Sequence, residues 1–227
     1  NDLSYAVKIS DSGRYSDNAT KNATINNSIN KTLQIIEDHG DTYSNDFPII
    51  YNNGQFSYNV EGTSLLRFLR DSYGTESIAA LSDEQKATSA ENMFKYLCKT
   101  YEVNYDEFGI EHSLMIVNLR RYMAANSYNR YLTFIIANEV SDETVAAILE
   151  NSDGLVGVTV EEQYIRRYVD SVYCSQILGY TGTVSNSELE ELGDGYESND
   201  VVGKSGIEKS MENELSGVKG EKSVYVD

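Results

Sequence analysis

Strand-like alternation is found at both ends of the chain, whereas the long stretch between them has helix patterns. At the start, Leu3, Tyr5, Val7 and Ile9 alternate with other residues, which is the period of a strand with one buried face. The range 156–169 is again rich in Val, Tyr and Ile, residues that favour strands. Helices placed between strands of one sheet indicate an α+β domain with a helical subdomain set into it.

The middle of the chain contains both apolar stripes and helix-start signals. After an Asn-rich tract, isoleucines and a leucine recur at helical spacing and predict a helix that ends near His39. Ser82 with Gln85 forms a capping-box pattern, which predicts one helix from Ser82 through Tyr101. The other predicted elements are helices over about 62–70, 113–126 and 141–149, and a hairpin around Asn52–Gly54.

These patterns predict how the chain is divided. Residues 1–19 and 139–227 are expected to form a β-rich pedestal from the two chain ends, and residues 20–138 a mainly helical head inserted between them. The N-terminal strand is then expected to pair with a segment within 155–227, because strands at both ends of an insertion can share one sheet.

The charge and hydropathy of the chain exclude several functions. With 18 basic and 36 acidic residues, the net charge is −18, which argues against nucleic acid as a partner, because phosphates are bound mainly by Lys and Arg. The longest apolar run is short, Leu132–Ala137, whereas a membrane helix needs about 20 residues. Residues 1–4 lack the basic and apolar regions of a signal peptide, and the chain is expected to be a piece of a longer protein.

The cysteines and histidines do not suggest a metal centre. The two cysteines are Cys98 and Cys174 and the two histidines are His39 and His112, and no His lies within four residues of a Cys. Zinc sites usually bring such ligands together at close spacing. We expect two separate thiols and no metal or cofactor, while a Cys98–Cys174 disulfide stays open because sequence alone cannot establish the approach of the two residues.

Three short motifs together resemble the active site of penicillin-recognising serine enzymes. These motifs are Ser28-Ile-Asn-Lys31, Ser127-Tyr-Asn129 and Lys204-Ser205-Gly206, in the order those enzymes use. However, Gly206 is followed by strong helix formers, and Ser205 stands three residues before Glu208, as in a capping box. Lys204-Ser205-Gly206 is therefore predicted to begin a helix, and a self-contained enzyme that uses Ser28 and Lys31 is the alternative hypothesis.

A second resemblance covers the C-terminal part of the chain more densely. Residues 202–220 read V-G-K-S-G-I-E-K-S-M-E-N-E-L-S-G-V-K-G, and they closely resemble the end of the N-terminal module of class B penicillin-binding proteins. Leu155–Val158 and Gln176–Gly182 are similar to two further sequence motifs of that family. Arg166–Tyr168 resembles its R-x-Y-P motif, in which Val169 here replaces the Pro. The residues assigned structural roles by this resemblance are Arg166, Tyr168, Gly179, Tyr180, Gly182, Gly203, Lys204, Ser205, Gly206 and Glu208.

The resemblance implies a non-catalytic pedestal, or dimerisation domain, of the Gram-positive type. In that family the module lies outside the cell membrane, between one N-terminal membrane helix and a C-terminal transpeptidase domain that cross-links peptidoglycan. The resemblance also implies several partners. These are the protein's own transpeptidase domain, a SEDS-family glycan polymerase, other cell-wall assembly proteins and a second copy of the module. The 18 tyrosines also suit a peptidoglycan-binding module with a Tyr-rich cleft, which is a further alternative.

Overall fold

The computed structural model describes residues 2–43, 45–165, 171–183, 196 and 201–217. The chain divides into two compact units, residues 1–165 and residues 166–227, which are described separately below. Both units combine helices with antiparallel strands, so the predicted α+β class is confirmed.

The first unit contains most of the helices. Its strands are β1 Asp2–Ile9, β2 Ile49–Asn52, β3 Gln55–Tyr58, β4 Phe134–Val140 and β5 Val158–Ile165. Its helices are α1 Asn18–Asp38, α2 Gly62–Tyr73, α3 Asp83–Lys86, α4 Ala90–Tyr101, α5 Tyr105–Phe108, α6 Ile110–Ala125 and α7 Asp142–Glu150. Short 3₁₀ turns occur at Ile78–Ala80 and Ser152–Gly154.

The N-terminal strand lies at the centre of a sheet. Strand β1 pairs antiparallel with β4 on one side and with β5 on the other. Its register with β5 is continuous from Asp2 opposite Ile165 to Ile9 opposite Val158. The predicted pairing of the N-terminal strand with a segment within 155–227 is therefore confirmed. Val7 and Ile9 are fully buried, but Leu3 is 50% exposed, so the predicted buried face does not extend to Leu3.

Strand β4 extends across residue 138, where the predicted head meets the predicted pedestal. Its residues from Phe134 to Val140 pair with β1, so the sheet of the first unit includes residues from both sides of that boundary. The division into a pedestal and a head stays a prediction.

Helix α1 forms the centre of the first unit's core. Asp17 caps it by accepting the Thr20 N–H at 2.7 Å, which satisfies one of the donors left unpaired at a helix start. The predicted stripe is fully buried, and α1 packs against α6 and α7. The stripe consists of Ile25, Ile29, Leu33 and Ile36.

The single helix predicted from Ser82 to Tyr101 is wrong, because the chain forms two helices there. The capping box of Ser82 and Gln85 is present, but it begins only the one-turn helix α3. Helix α4 has its own cap, since the Ser89 side chain accepts the Asn92 N–H at 3.2 Å. A second capping serine satisfies the first-turn donors of a new helix, so it marks a break that the apolar pattern does not reveal.

Asp41 joins the end of α1 to the start of α7. Its Oδ2 accepts hydrogen bonds from the Ser141 N–H at 2.8 Å, the Ser141 hydroxyl at 2.7 Å and the Thr144 hydroxyl at 2.6 Å. Partial burial raises the pKa of Asp41, but the hydrogen bonds from Thr144 and Ser141 outweigh this effect and hold the pKa below its usual range. The charged form of Asp41 therefore stabilises the folded state.

Asp41→Asn is expected to destabilise the first unit by about 1–3 kcal/mol at pH 7, since hydrogen bonds to a charged acceptor become hydrogen bonds to a neutral one. Because folding lowers the pKa, the stabilisation is complete above the unfolded-state pKa of about 3.9 and is lost as the pH falls through the folded-state value. Urea unfolding of both proteins at pH 7 and pH 3 measures this difference. An equal difference at the two pH values would contradict the assignment.

The second unit contains the motifs that carry the family resemblance. Its described elements are α8 Ser171–Leu178, β6 Thr181–Thr183, β7 Val201–Gly203, α9 Gly206–Ser210 and α10 Glu212–Leu215. Strands β6 and β7 pair antiparallel, with Gly182 opposite Val202. In neither unit does a described helix have the length and apolar character needed to cross a membrane.

Candidate functional site

The predicted motif residues of the second unit meet where β6, β7 and α9 come together. Gly182 lies in β6, Gly203 ends β7, and Gly206 begins α9. The Lys204 N–H donates to the Tyr180 carbonyl oxygen at 2.8 Å, which continues the β6–β7 ladder by one further pair. The predicted Arg166 and Tyr168 lie outside the described residues.

Gly179 and Gly206 allow two backbone segments to touch. A Cβ atom on Gly179 would lie 1.9 Å from the Ser205 carbonyl oxygen, and one on Gly206 would lie 2.5 Å from the Ile177 carbonyl oxygen. Both glycines also have positive φ, 80° and 58°, a conformation that L side chains rarely adopt. The end of α8 and the start of α9 can therefore pack this closely only with glycine at both positions.

Another close backbone contact in this junction joins Gly203 to helix α9. A Cβ atom on Gly203 would lie 2.2 Å from the backbone carbon and oxygen of Glu208. Glu208 is 6% exposed, so the helix backbone at this point lies against the strand. Glycine at 203 thus sets the distance between β7 and α9.

Glu212 belongs to this junction, although the sequence prediction did not include it. Its Oε2 accepts the Gly203 N–H at 2.6 Å, and its Oε1 accepts the Tyr196 hydroxyl at 3.3 Å. In the sequence, Glu212 could have been recognised by its position four residues after Glu208, because this spacing is typical of two side chains on one face of a helix. Glu212 ties the end of β7 to the start of α10.

Ser205 stands at the predicted helix start, but the predicted capping box is wrong. Its backbone is extended, and its side chain accepts no cap hydrogen bond within the described range 201–217. The next residue, Gly206, has a φ of 58° instead of a helical value, so the Ser205 hydroxyl is not aligned with the first-turn N–H groups. The predicted helix 207–215 is also divided at Met211.

Ser205→Ala is therefore expected to change the free energy of unfolding by less than about 0.5 kcal/mol, the usual range for a side chain without a specific role. The control is Ser82→Ala, which removes the hydroxyl that accepts the Gln85 N–H at 3.1 Å and is expected to cost about 1 kcal/mol. Urea unfolding of both variants measures the two values. A larger loss for Ser205→Ala than for Ser82→Ala would restore the capping prediction.

The geometry does not support the serine-enzyme alternative. Ser28 lies inside α1 and is 1% exposed, so a substrate cannot reach it as a nucleophile requires. Ser127–Asn129 lies in an exposed turn after α6. Lys204–Gly206 leads from the end of β7 into the first residue of α9, so the strand ends at this motif.

Among the described residues, the cysteines form no disulfide and no group of acidic, His or Cys side chains could hold a metal ion. Both cysteines are free in the described part of the chain, with Cys98 buried and Cys174 exposed. Burial raises the pKa of the Cys98 thiol to about 12, so it stays protonated and unreactive at neutral pH. In the described ranges no group of three His, Cys, Asp or Glu side chains could hold a metal ion.

Close backbone contacts at Gly179, Gly203 and Gly206 organise the described part of the second unit. The chain belongs to the family of the penicillin-binding protein dimerisation domain, whose family model matches residues 1–227. This confirms the resemblance to class B penicillin-binding proteins. The Gram-positive type stays a prediction.

Curated relatives match part of the chain. Peptidoglycan D,D-transpeptidase MrdA of Salmonella typhimurium is 29% identical over 109 residues, which are 46% of this chain and 18% of that protein. The protein of the same name from Acinetobacter baumannii is 32% identical over 89 residues, 39% of this chain and 13% of that protein. The matched region thus spans less than a fifth of either relative.

A solved structure is also similar. Penicillin-binding protein 2B of Streptococcus pneumoniae strain 5204 has 20% sequence identity and a TM-score of 0.46, over 94% of this chain and 31% of that chain.

Proposed function

We propose that this chain is the non-catalytic pedestal of a membrane-anchored penicillin-binding protein and positions a C-terminal D,D-transpeptidase domain over peptidoglycan. The observation that carries the proposal is the match of the whole chain to the dimerisation-domain family. The names of the curated relatives supply the reaction. The close packing at Gly179, Gly203 and Gly206 is consistent with a structural role, because it joins helices and strands through direct backbone contacts.

The proposed location and partners follow from this role. The pedestal lies on the extracytoplasmic face of the cell membrane, and its first partner is its own transpeptidase domain. Further proposed partners are a SEDS-family glycan polymerase, other cell-wall assembly proteins and a second copy of the pedestal. The net charge of −18 supports protein partners over nucleic acid, whose phosphates would be repelled.

Penicillin labelling tests the non-catalytic role. The purified chain is incubated with a fluorescent penicillin, and its intact mass is measured before and after. We expect no covalent adduct, because acyl transfer needs an accessible nucleophile next to a base and an oxyanion site. A protein that combines this chain with the transpeptidase domain of MrdA is the positive control. Stoichiometric labelling of the chain alone, at Ser28 or at the exposed Ser216, would overturn the proposal.

A further inference from the structure

An arginine near the end of α6 is buried with one side of its guanidinium unpaired. Arg120 is 6% exposed, and its Nη2 donates to Asn22 Oδ1. The guanidinium also lies 5.7 Å from the centre of the Tyr101 ring. Its buried Nη1 has no hydrogen-bond partner among the described residues. A buried charged donor without an acceptor is costly, so this atom indicates a site for a further group.

Two more buried polar atoms lie close to Arg120. Asp11 Oδ1 and the Tyr15 hydroxyl also have no hydrogen-bond partner in the described part of the chain. The other carboxylate oxygen of Asp11 accepts from Lys21 Nζ. Burial and the nearby Asp11 raise the pKa of Tyr15, despite the opposing effects of the nearby Gly13 backbone and of the charges on Arg130 and Arg120. Asp11, Tyr15, Arg120 and Arg130 therefore lie within electrostatic range of one another. An unpaired acceptor and unpaired donors therefore occupy one region of the first unit.

Asp11 and Arg120 line one cavity. Asp11, Lys21 and Arg120 line a cavity of about 90 Å³ together with Tyr101 and Ser127. At about 30 Å³ for each water molecule, it has room for about three waters or for one small organic ion. Lys21 also lines a wider groove of about 540 Å³.

The charges around the cavity favour an anion. The chain carries a net charge of −18, yet basic side chains outnumber acidic ones along the cavity and the groove. The basic residues there are Arg14, Lys21, Arg120 and Arg130, and the acidic residues are Asp11 and Asp17. A planar guanidinium is well suited to bind a carboxylate. The free oxygen of Asp11 would still need a donor, which a bare carboxylate does not offer.

We propose that this cavity binds a small carboxylate ligand that carries an O–H or N–H donor next to its carboxylate. The carboxylate accepts hydrogen bonds from Arg120 Nη1, and the neighbouring donor binds Asp11 Oδ1. Hydroxy acids and amino acids have this chemistry. The proposal concerns a ligand of the first unit and does not depend on the proposed pedestal function.

The test is an NMR titration of the full chain with glycolate, glycine, acetate and inorganic phosphate. We expect glycolate and glycine to produce saturable shifts at the backbone amides of Gly13, Tyr15 and Lys21. Acetate, which lacks the donor, is expected to bind about fivefold more weakly, the ratio that one hydrogen bond supplies. Shifts that do not saturate, acetate binding as tightly as glycolate, or saturation by phosphate alone would each overturn the proposal.

Two variants assign the roles of the two side chains. Arg120→Gln is expected to weaken binding of every carboxylate at least tenfold, because the charged donor is lost. Asp11→Ala is expected to reduce the preference for glycolate over acetate to within twofold, because the acceptor for the ligand's O–H is lost. This variant changes a residue between β1 and α1, so it tests the proposal even if Arg120→Gln does not fold.

The matched control is Arg70→Gln. Arg70 pairs with Asp71 on α2 and does not line the cavity, so its loss is expected to leave all affinities unchanged. An equal loss of affinity in Arg70→Gln and Arg120→Gln would show a general charge effect and overturn the proposal. Unchanged binding in a folded Arg120→Gln protein would do the same.

Discussion

Gly179→Ala is expected to unfold the second unit, with a loss of about 3–5 kcal/mol. The added Cβ would lie 1.9 Å from the Ser205 carbonyl oxygen and 2.4 Å from its carbonyl carbon. Both are backbone atoms, so they can move away only if α9 moves. The φ of 80° at Gly179 adds backbone strain of about 1–3 kcal/mol for a residue with a side chain, and overpacking typically costs a further 1–3 kcal/mol or so.

The matched control is Gly182→Ala, in the strand that follows. Its Cβ would meet Lys204 Cε at 3.2 Å, and this flexible side chain can move away, so we expect a cost below about 1 kcal/mol. Hydrogen exchange at residues 171–183 and 201–217, compared with residues 2–165, localises the change to one unit. Equal protection of the two variants in the second unit would contradict the steric explanation.

Phe94→Ala is expected to destabilise the first unit by about 3–5 kcal/mol, as is typical when a large aromatic side chain is removed from a core. Phe94 is 1% exposed. Its ring stacks on Phe56 of the β2–β3 hairpin at a centroid distance of 4.9 Å and contacts Tyr105 of α5 at 5.7 Å. One side chain therefore connects α4 to strand β3 and helix α5, which are each only four residues long.

Urea unfolding followed by far-UV circular dichroism measures this loss. Tyr128→Ala is the control, since Tyr128 is 84% exposed, and its removal is expected to change the free energy of unfolding by at most about 0.5 kcal/mol. If Phe94→Ala costs no more than this control, the hairpin and α5 do not depend on the aromatic contacts.

The sequence predicted best those features whose cause is local. The stripe through Ile29 and Leu33 specifies α1 by spacing alone, and Ser141 begins α7 as predicted, accepting the Thr144 N–H at 3.3 Å. The hairpin between β2 and β3 follows from Asn53 and Gly54, which have φ values of 50° and 81°, as the favoured two-residue turn requires. In each case the determining residues lie within a few positions of one another.

Features that depend on distant residues could not be predicted in this way. The glycines of the second unit were identified by resemblance. Position 179 requires glycine because its backbone contacts Ser205, which is 26 positions away in the sequence. The Arg120 cavity was not predicted, because Asp11 and Arg120 lie far apart in sequence and meet only when α1 and α6 pack together. Ser205 matched a local rule that the positive φ of Gly206 overrides.

The central position of β1 has a consequence for the order of folding. Its partners begin at Phe134 and Val158, so the first eight described residues gain their hydrogen bonds from segments that a ribosome makes more than a hundred residues later. Helix α1 and the β2–β3 hairpin can form earlier, since their backbone hydrogen bonds join residues that are close in sequence. Long-range pairing of this kind slows folding, and until β5 has been synthesised β1 exposes an unsatisfied edge. We expect the nascent first unit to need protection from aggregation during this interval.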